Sequence, residues 1–288
     1  VPDRGLRARR TLFPPLTAAV CAVGLCCPLR AEEPAGKPSA PAPATAAATQ
    51  EAGPEPAPAV RRPQRPSRLL TRIREGKPIA IVGYGDSITY GQGVSEAPAE
   101  SYLNVWARGL RQYFGADRIR LVNVSDPGVV SWYALKFIES HVAAEDPDLV
   151  ILQFGGNDSR EKVQFDTFWW SVEQMVLRLR ATTEAEVVLV VPPMLDKSGD
   201  LQIIDAVWRL GKKQRVPVAD FDRALRDQER DHRGLFPMDG HPNAYSHKAM
   251  ARELQRTCAP LFGLQTPLTV NIRNQTWVAL PGQPVTVG

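Results

Sequence analysis

Cysteine is the first thing this sequence has little of. Its 288 residues hold four, and three of them, Cys21, Cys26 and Cys27, fall in the first 27 positions. Beyond those only Cys258 remains. One thiol cannot close an internal disulfide, and no second cysteine is available to build a zinc site. Cys258, in "LQRTCAPLFG", reads as a small buried apolar residue. Excess charge is missing as well. The formal charge of +4 traces to residues 1–31, where Arg4, Arg7, Arg9, Arg10 and Arg30 face only Asp3. Without that segment the chain's 35 basic and 31 acidic residues become 30 and 30. That balance speaks against nucleic acid or another polyanion as a partner. An unbroken apolar run long enough to span a membrane is also lacking, because "TLFPPLTAAVCAVGLCCPL" is short and interrupted by proline.

What is present begins with an export-type leader. "RGLRARR" is a charged opening, the apolar stretch follows, and "LRA" ending at Ala31 is an imperfect but acceptable cleavage site. A retained anchor is the alternative reading. Cys26 and Cys27 raise lipidation, although Leu25 and Cys26 are poor residues before a lipidated cysteine. Residues 32–68 are dominated by alanine and proline, with no aromatic residue. Such a segment cannot offset its ordering entropy and is expected to be a disordered tether. The expected organisation is therefore a signal peptide at 1–31, a linker at 32–68, a folded domain at 69–264 and a C-terminal β extension at 265–288. The mature chain would be exported, periplasmic or extracellular, with no integral membrane span and with tethering through the N-terminus as an option.

From about Leu69 apolar runs alternate with helix-period segments. "PIAIVGYG", "IRLVNVS", "DLVILQFG", "EVVLVVPP" and "VPVADF" read as strands. "ESYLNVWARGLRQYF", "SWYALKFIESHV", "FDTFWWSVEQMVLRLRA", "LQIIDAVWRLGKK" and "NAYSHKAMARELQRT" read as helices. The strands are continuously apolar, as expected for strands buried on both faces. The alternation predicts an α/β fold with a parallel sheet and helices on both sides. "LTVNIRNQTWVALPGQPVTVG" would add one or two strands.

Sites in such sheets form outside the carboxyl ends of the strands. Three distinctive loops fall there, "GDS", "NVSDPG" and "GGND", and a fourth, "MDGHPN", precedes the last helix. Ser87 is the pivotal residue. A bland reading makes it a helix cap or turn serine. Nucleotide readings fail on the letters, since Gly83-Tyr84-Gly85 lacks the third glycine of G-x-G-x-x-G and no Gly-Lys-Ser/Thr is present. The G-x-S-x-G elbow is also absent, with Gly85 and Thr89 flanking.

"GDSITYG", the glycine of "NVSDPG", "GGND" and the late Asp-x-His-Pro-Asn run together resemble the four blocks of the SGNH, or GDSL, hydrolase superfamily. The similarity spans about Ile79 to Leu254. It implies a three-layer α/β/α sandwich with a mostly parallel, flavodoxin-like sheet. It also implies roles. Ser87 would be the nucleophile and His241 the general base. The Ser87 N–H, the Gly128 N–H and the Asn157 side-chain amide would form the oxyanion hole. These types suit the chemistry. A serine hydroxyl needs a base to take its proton, and the tetrahedral intermediate needs preorganised donors.

Elimination among four histidines also favours His241. His141 ends a helix, His232 lies in a charged run, and His247 lies inside the last helix, whereas His241 sits in a loop. The family pattern places its aspartate three residues before the histidine, but that position is Met238 here. Asp239 becomes the choice for the acid, with Asp220 or Asp222 as fallback and a Ser–His dyad as a further option. Asp86 and Asp158 are expected to hold loops through backbone N–H groups. Trp169 and Trp170 are expected in the core. Trp132, four residues after Gly128, is the candidate for lining the site and stacking on a sugar. No metal and no cofactor are called for.

The resulting expectation is an exported serine esterase acting through an acyl-enzyme. Its substrate would carry O-acetyl or other short acyl esters on a glycan or small molecule, with a lipid ester next in order. O-acyl transfer to a sugar with the same residues, and a non-catalytic carbohydrate-binding module on the same fold, are the alternatives.

Overall fold

The computed structural model of this protein describes residues 66–96, 99–194, 200–227, 240–264, 269–271 and 276–278. The leader, and the linker as far as residue 65, lie outside them. Five strands form the central sheet: β1 (Ile79–Gly85), β2 (Ile119–Asn123), β3 (Leu149–Gln153), β4 (Glu186–Val191) and β5 (Val218–Asp220). Their order is β2-β1-β3-β4-β5, and every pairing is parallel. Every residue of β1 and β3 is buried, which is why these segments are apolar without alternation.

Successive side chains of a strand leave opposite faces. Ile79 and Ile81 of β1, and Leu149 and Ile151 of β3, pack with α1 (Arg68–Arg74), α3 (Tyr102–Phe114), α8 (Phe221–Arg226) and α9 (Ala244–Cys258). Val82, Tyr84, Val150 and Leu152 pack on the other side with α4 (Ser131–Ala134), α6 (Phe165–Thr182) and α7 (Asp200–Gln214). The result is the expected three-layer α/β/α sandwich. Cys258 is fully buried in the first layer. Trp106, also fully buried, satisfies its indole N–H on Gln255 Oε1 at 2.8 Å. Truncating it to alanine would cost roughly 3–5 kcal/mol.

Two local departures have visible causes, and the C-terminal stretch adds strands as expected. The first helix starts at Arg68, inside the expected linker: Ser67 caps it, and Arg68 pairs with Asp146 and the buried Asp148. The expected helix over 131–142 is instead one α turn, a 3-10 turn at Leu135–Phe137 and a π turn at Ile138–Val142. The Tyr84 hydroxyl donates to the Ala134 carbonyl at 2.8 Å, and the Ile138 N–H falls back on Leu135. A carbonyl drawn off the helix axis breaks the regular ladder. The C-terminal residues form two short strands, β6 (Thr269–Asn271) and β7 (Thr276–Val278), paired antiparallel with each other rather than with the central sheet. β7 runs alongside α3.

Candidate active site

Strands β1 and β3 end level with each other, Gly85 opposite Gln153. Two short helices leave that edge, α2 (Ser87–Tyr90) and α5 (Gly156–Arg160). Asp86 caps α2, its Oδ1 accepting from the Ile88 N–H at 2.9 Å. This puts Ser87 at the first helical position, buried to 7% exposure. A helix turn, rather than a strained elbow, therefore presents the serine. Opposite it, Asn243 caps α9 and fixes the loop that carries His241. His241 Nε2 lies 3.0 Å from Ser87 Oγ, although 154 residues separate them in sequence.

The other expected donors are drawn to the same edge. Gly128 adopts φ +80, which favours glycine, and the space over its α-carbon is open. Asn157 sits in the first turn of α5, and its Nδ2 donates to the Val129 carbonyl at 3.0 Å. A side-chain amide nitrogen has two hydrogens. One ties Asn157 to the loop that carries Gly128, and the second can meet a developing oxyanion. The Asp126 N–H donates to the Gly85 carbonyl at 3.0 Å, so that loop also continues the ladder beside β1.

Asp86 and Asp158 hold loops. Asp158 accepts from the Ser131 N–H and, at 2.6 Å, from its hydroxyl. Burial raises the pKa of Asp158, against the pull of Ser131. Burial likewise pushes Asp86 up to about 6, against hydrogen bonds from Ile88 and Gln153. No arginine or lysine bonds either carboxylate among the described residues.

Asp239 lies outside the described residues, as does His232. The fallback acids are engaged elsewhere. Asp220 accepts from the Arg223 N–H and from Trp208 Nε1, and Asp222 accepts from the Met194 N–H and from Arg226. Trp132 is exposed, with Lys136 Nζ 4.9 Å from its ring centre. The core assignment of the tryptophan pair is corrected. Trp170 is 53% exposed, and Trp169 is half-buried under Arg209 and Lys213. The buried Phe168, Val172 and Met175, four and then three residues apart, show why: the core stripe of α6 passes one position to the side.

Four polar residues at this edge escaped the sequence reading: Thr89, Tyr102, Gln153 and His247, all fully buried. Gln153 alone carried a legible signal, as the one polar side chain in an apolar strand.

A family model for the GDSL-like lipase/acylhydrolase family matches residues 84–249, a span that holds all of these groups. The chain belongs to this family. It is thereby a carboxylic ester hydrolase by class. Among solved structures, it is similar to an acetylxylan esterase from Geobacillus stearothermophilus, with 20% identity, a TM-score of 0.56, and 63% of this chain and 94% of that one covered. An alpha/beta hydrolase enzyme from the metagenome of Lake Arreo, Spain, gives 21%, 0.57, 64% and 97%. A lipase/acylhydrolase from Enterococcus faecalis gives 24%, 0.55, 63% and 96%. At such identities the likeness is one of fold. No curated protein sequence matches the chain.

Proposed function

We propose that this family member is an exported serine esterase that removes short acyl groups, acetyl above all, from a glycan through an acyl-serine intermediate. One observation carries the mechanism: a buried serine hydroxyl 3.0 Å from the imidazole of a loop histidine, at the carboxyl edge of the sheet. In this reading Ser87 Oγ attacks the ester carbonyl while His241 Nε2 takes its proton. The carbonyl oxygen, now anionic, is met by the Ser87 N–H, the Gly128 N–H and the free hydrogen of Asn157 Nδ2. Collapse expels the sugar alkoxide, which receives the proton from His241. Water then attacks the acyl-serine with the same help and releases the acid and Ser87. Asp239 would accept from His241 Nδ1 and stabilise the imidazolium.

Export is supported by the arginine-rich, apolar opening of the chain. A glycan ester is supported by the exposed Trp132 four residues beyond Gly128, where an indole face can stack on a sugar ring, and by the fold likeness to an acetylxylan esterase. The test is hydrolysis of 4-nitrophenyl acetate and octanoate by the parent and by Ser87→Ala. Acetate should be strongly preferred, and Ser87→Ala should lose all but background turnover. Full activity in Ser87→Ala would remove the mechanism. A preference for octanoate would remove the substrate assignment.

A further inference from the structure

A circuit of polar contacts runs beneath the reacting pair, and it begins and ends on the backbone that carries Ser87. On one side, Gln153 Nε2 donates to Asp86 Oδ2 at 3.1 Å, and Gln153 Oε1 accepts from Thr89 Oγ1 at 2.6 Å. Thr89 thereby uses its only proton, so its oxygen accepts from the Tyr102 hydroxyl, 2.9 Å away. Tyr102 carries the circuit to the other side. Its backbone N–H, at the first position of α3, donates to His247 Nδ1 at 3.1 Å. An accepting Nδ1 leaves the ring proton on Nε2. Nε2 has no partner at ordinary hydrogen-bond length, and the Gln92 backbone lies near enough to act on the ring. The Gln92 N–H in turn donates to the Ser87 carbonyl at 2.9 Å.

The next residue touches the base. A Cβ on Gly93 would stand 2.4 Å from the Pro242 carbonyl oxygen and 2.8 Å from His241 Cβ. The loop that Ser87 and His247 hold is therefore the wall behind His241. Asp86, Thr89, Tyr102, Gln153 and His247 are each exposed by 1% or less. In such a desolvated setting each polar link is strong and an unmade one is costly. Burial also holds the His247 pKa down to about 4, so its Nδ1 stays an acceptor at neutral pH. A residue that only filled this space would leave the first N–H of α3 unsatisfied.

We propose that Tyr102 and His247 are positioning residues, which together lock the Ser87 helix against the Gly93–His241 contact and so hold Oγ within reach of Nε2. The effect assigned to catalysis rests on the reading of Ser87 and His241 above, whereas the geometric lock does not. Tyr102→Phe removes one hydroxyl and keeps the ring packed on Phe221. Its kcat on 4-nitrophenyl acetate should fall roughly tenfold with KM within about twofold, since small misplacements of reacting groups are costly. His247→Asn, which keeps an acceptor for the Tyr102 N–H but loses the Nε2 proton, should fall similarly. The double variant should be no worse than about the larger single effect, because both act through one circuit.

Nitrogen NMR of the histidine rings supplies a readout that needs no turnover. The parent should show His247 as the neutral Nε2–H form, and Tyr102→Phe should shift the His241 ring nitrogens. Unchanged kcat and unchanged His241 shifts, with only a lowered Tm, would overturn the proposal and leave these residues as core. A parent that hydrolyses no ester would defeat the functional reading alone, and the His241 shifts would still decide this one.

Discussion

Two aspartates buried at opposite ends of the sheet, Asp148 and Asp86, are treated in opposite ways. At the amino edge Asp148 is 1% exposed and meets cations: Arg68 Nε at 2.8 Å and Arg72 Nε at 3.6 Å, with the Ala80 N–H at 2.8 Å. At the carboxyl edge Asp86 is equally buried and is met by neutral donors, Ile88 N–H and Gln153 Nε2. The amino edge spends cations to hold α1 on the sheet. Asp86 is held by fixed dipoles, and no arginine or lysine among the described residues hydrogen-bonds to it. Asp148 and Asp86 thus differ in how their charge is compensated, not in burial.

The sharpest way to break that contrast is at the reacting edge. Asn157→Ala should lower kcat about 10²–10³-fold, the size expected for one oxyanion donor, with little change in KM. Steady-state kinetics on the acetyl ester measures it, and a loss below threefold would remove Asn157 from the oxyanion site.

The structural edge should give the reverse pattern. Asp148→Asn keeps an acceptor for the Ala80 N–H and removes the charge that Arg68 and Arg72 face. The domain should lose on the order of 2 kcal/mol, a fall of roughly 4–8 °C in Tm, with kcat within about twofold. Calorimetry and kinetics on one preparation separate the two effects.

Two opposed groups make the net pH effect small, although each alone is sizeable. Asp86 has a folded pKa raised to about 6, so its contribution is full at low pH and is lost as pH rises toward 6. His247 has a folded pKa lowered to about 4, so its contribution is present above its ordinary 6.5 and is lost as pH falls toward 4. The two slopes oppose in the same window, each worth on the order of 3 kcal/mol. His247→Asn should therefore be least damaging at pH 4 and most damaging at pH 7. Thermal melts across that range read the difference, and a penalty independent of pH would contradict the burial of a neutral His247.

Much of this was legible beforehand, for reasons that differ by element. β1, β3 and β4 announced themselves because burial on both faces demands continuous apolar residues. Ser87, Gly128, Asn157 and His241 stood out as candidates because loops at strand ends carry distinctive letters that resemble the family's blocks. The irregular stretch at 131–142 was not, because its cause is a hydroxyl 50 residues away, on Tyr84. Trp170 was misplaced because helical periodicity admits a one-position error in where the core stripe runs. Tyr102 and His247 read as ordinary helix residues, since their partners are 145 positions apart. α2 and α5 were missed because helices of four and five residues carry no period.

The central claim is that Ser87 becomes a nucleophile only because His241 stands beside it. The direct measurement is the mass of the intact protein, and of its Ser87 peptide, after treatment with diisopropyl fluorophosphate. The account predicts one phosphoryl adduct, on Ser87, formed at least about 10³-fold more slowly in His241→Ala. Equal labelling in that variant, or ester hydrolysis that continues with Ser87 unlabelled, would contradict it.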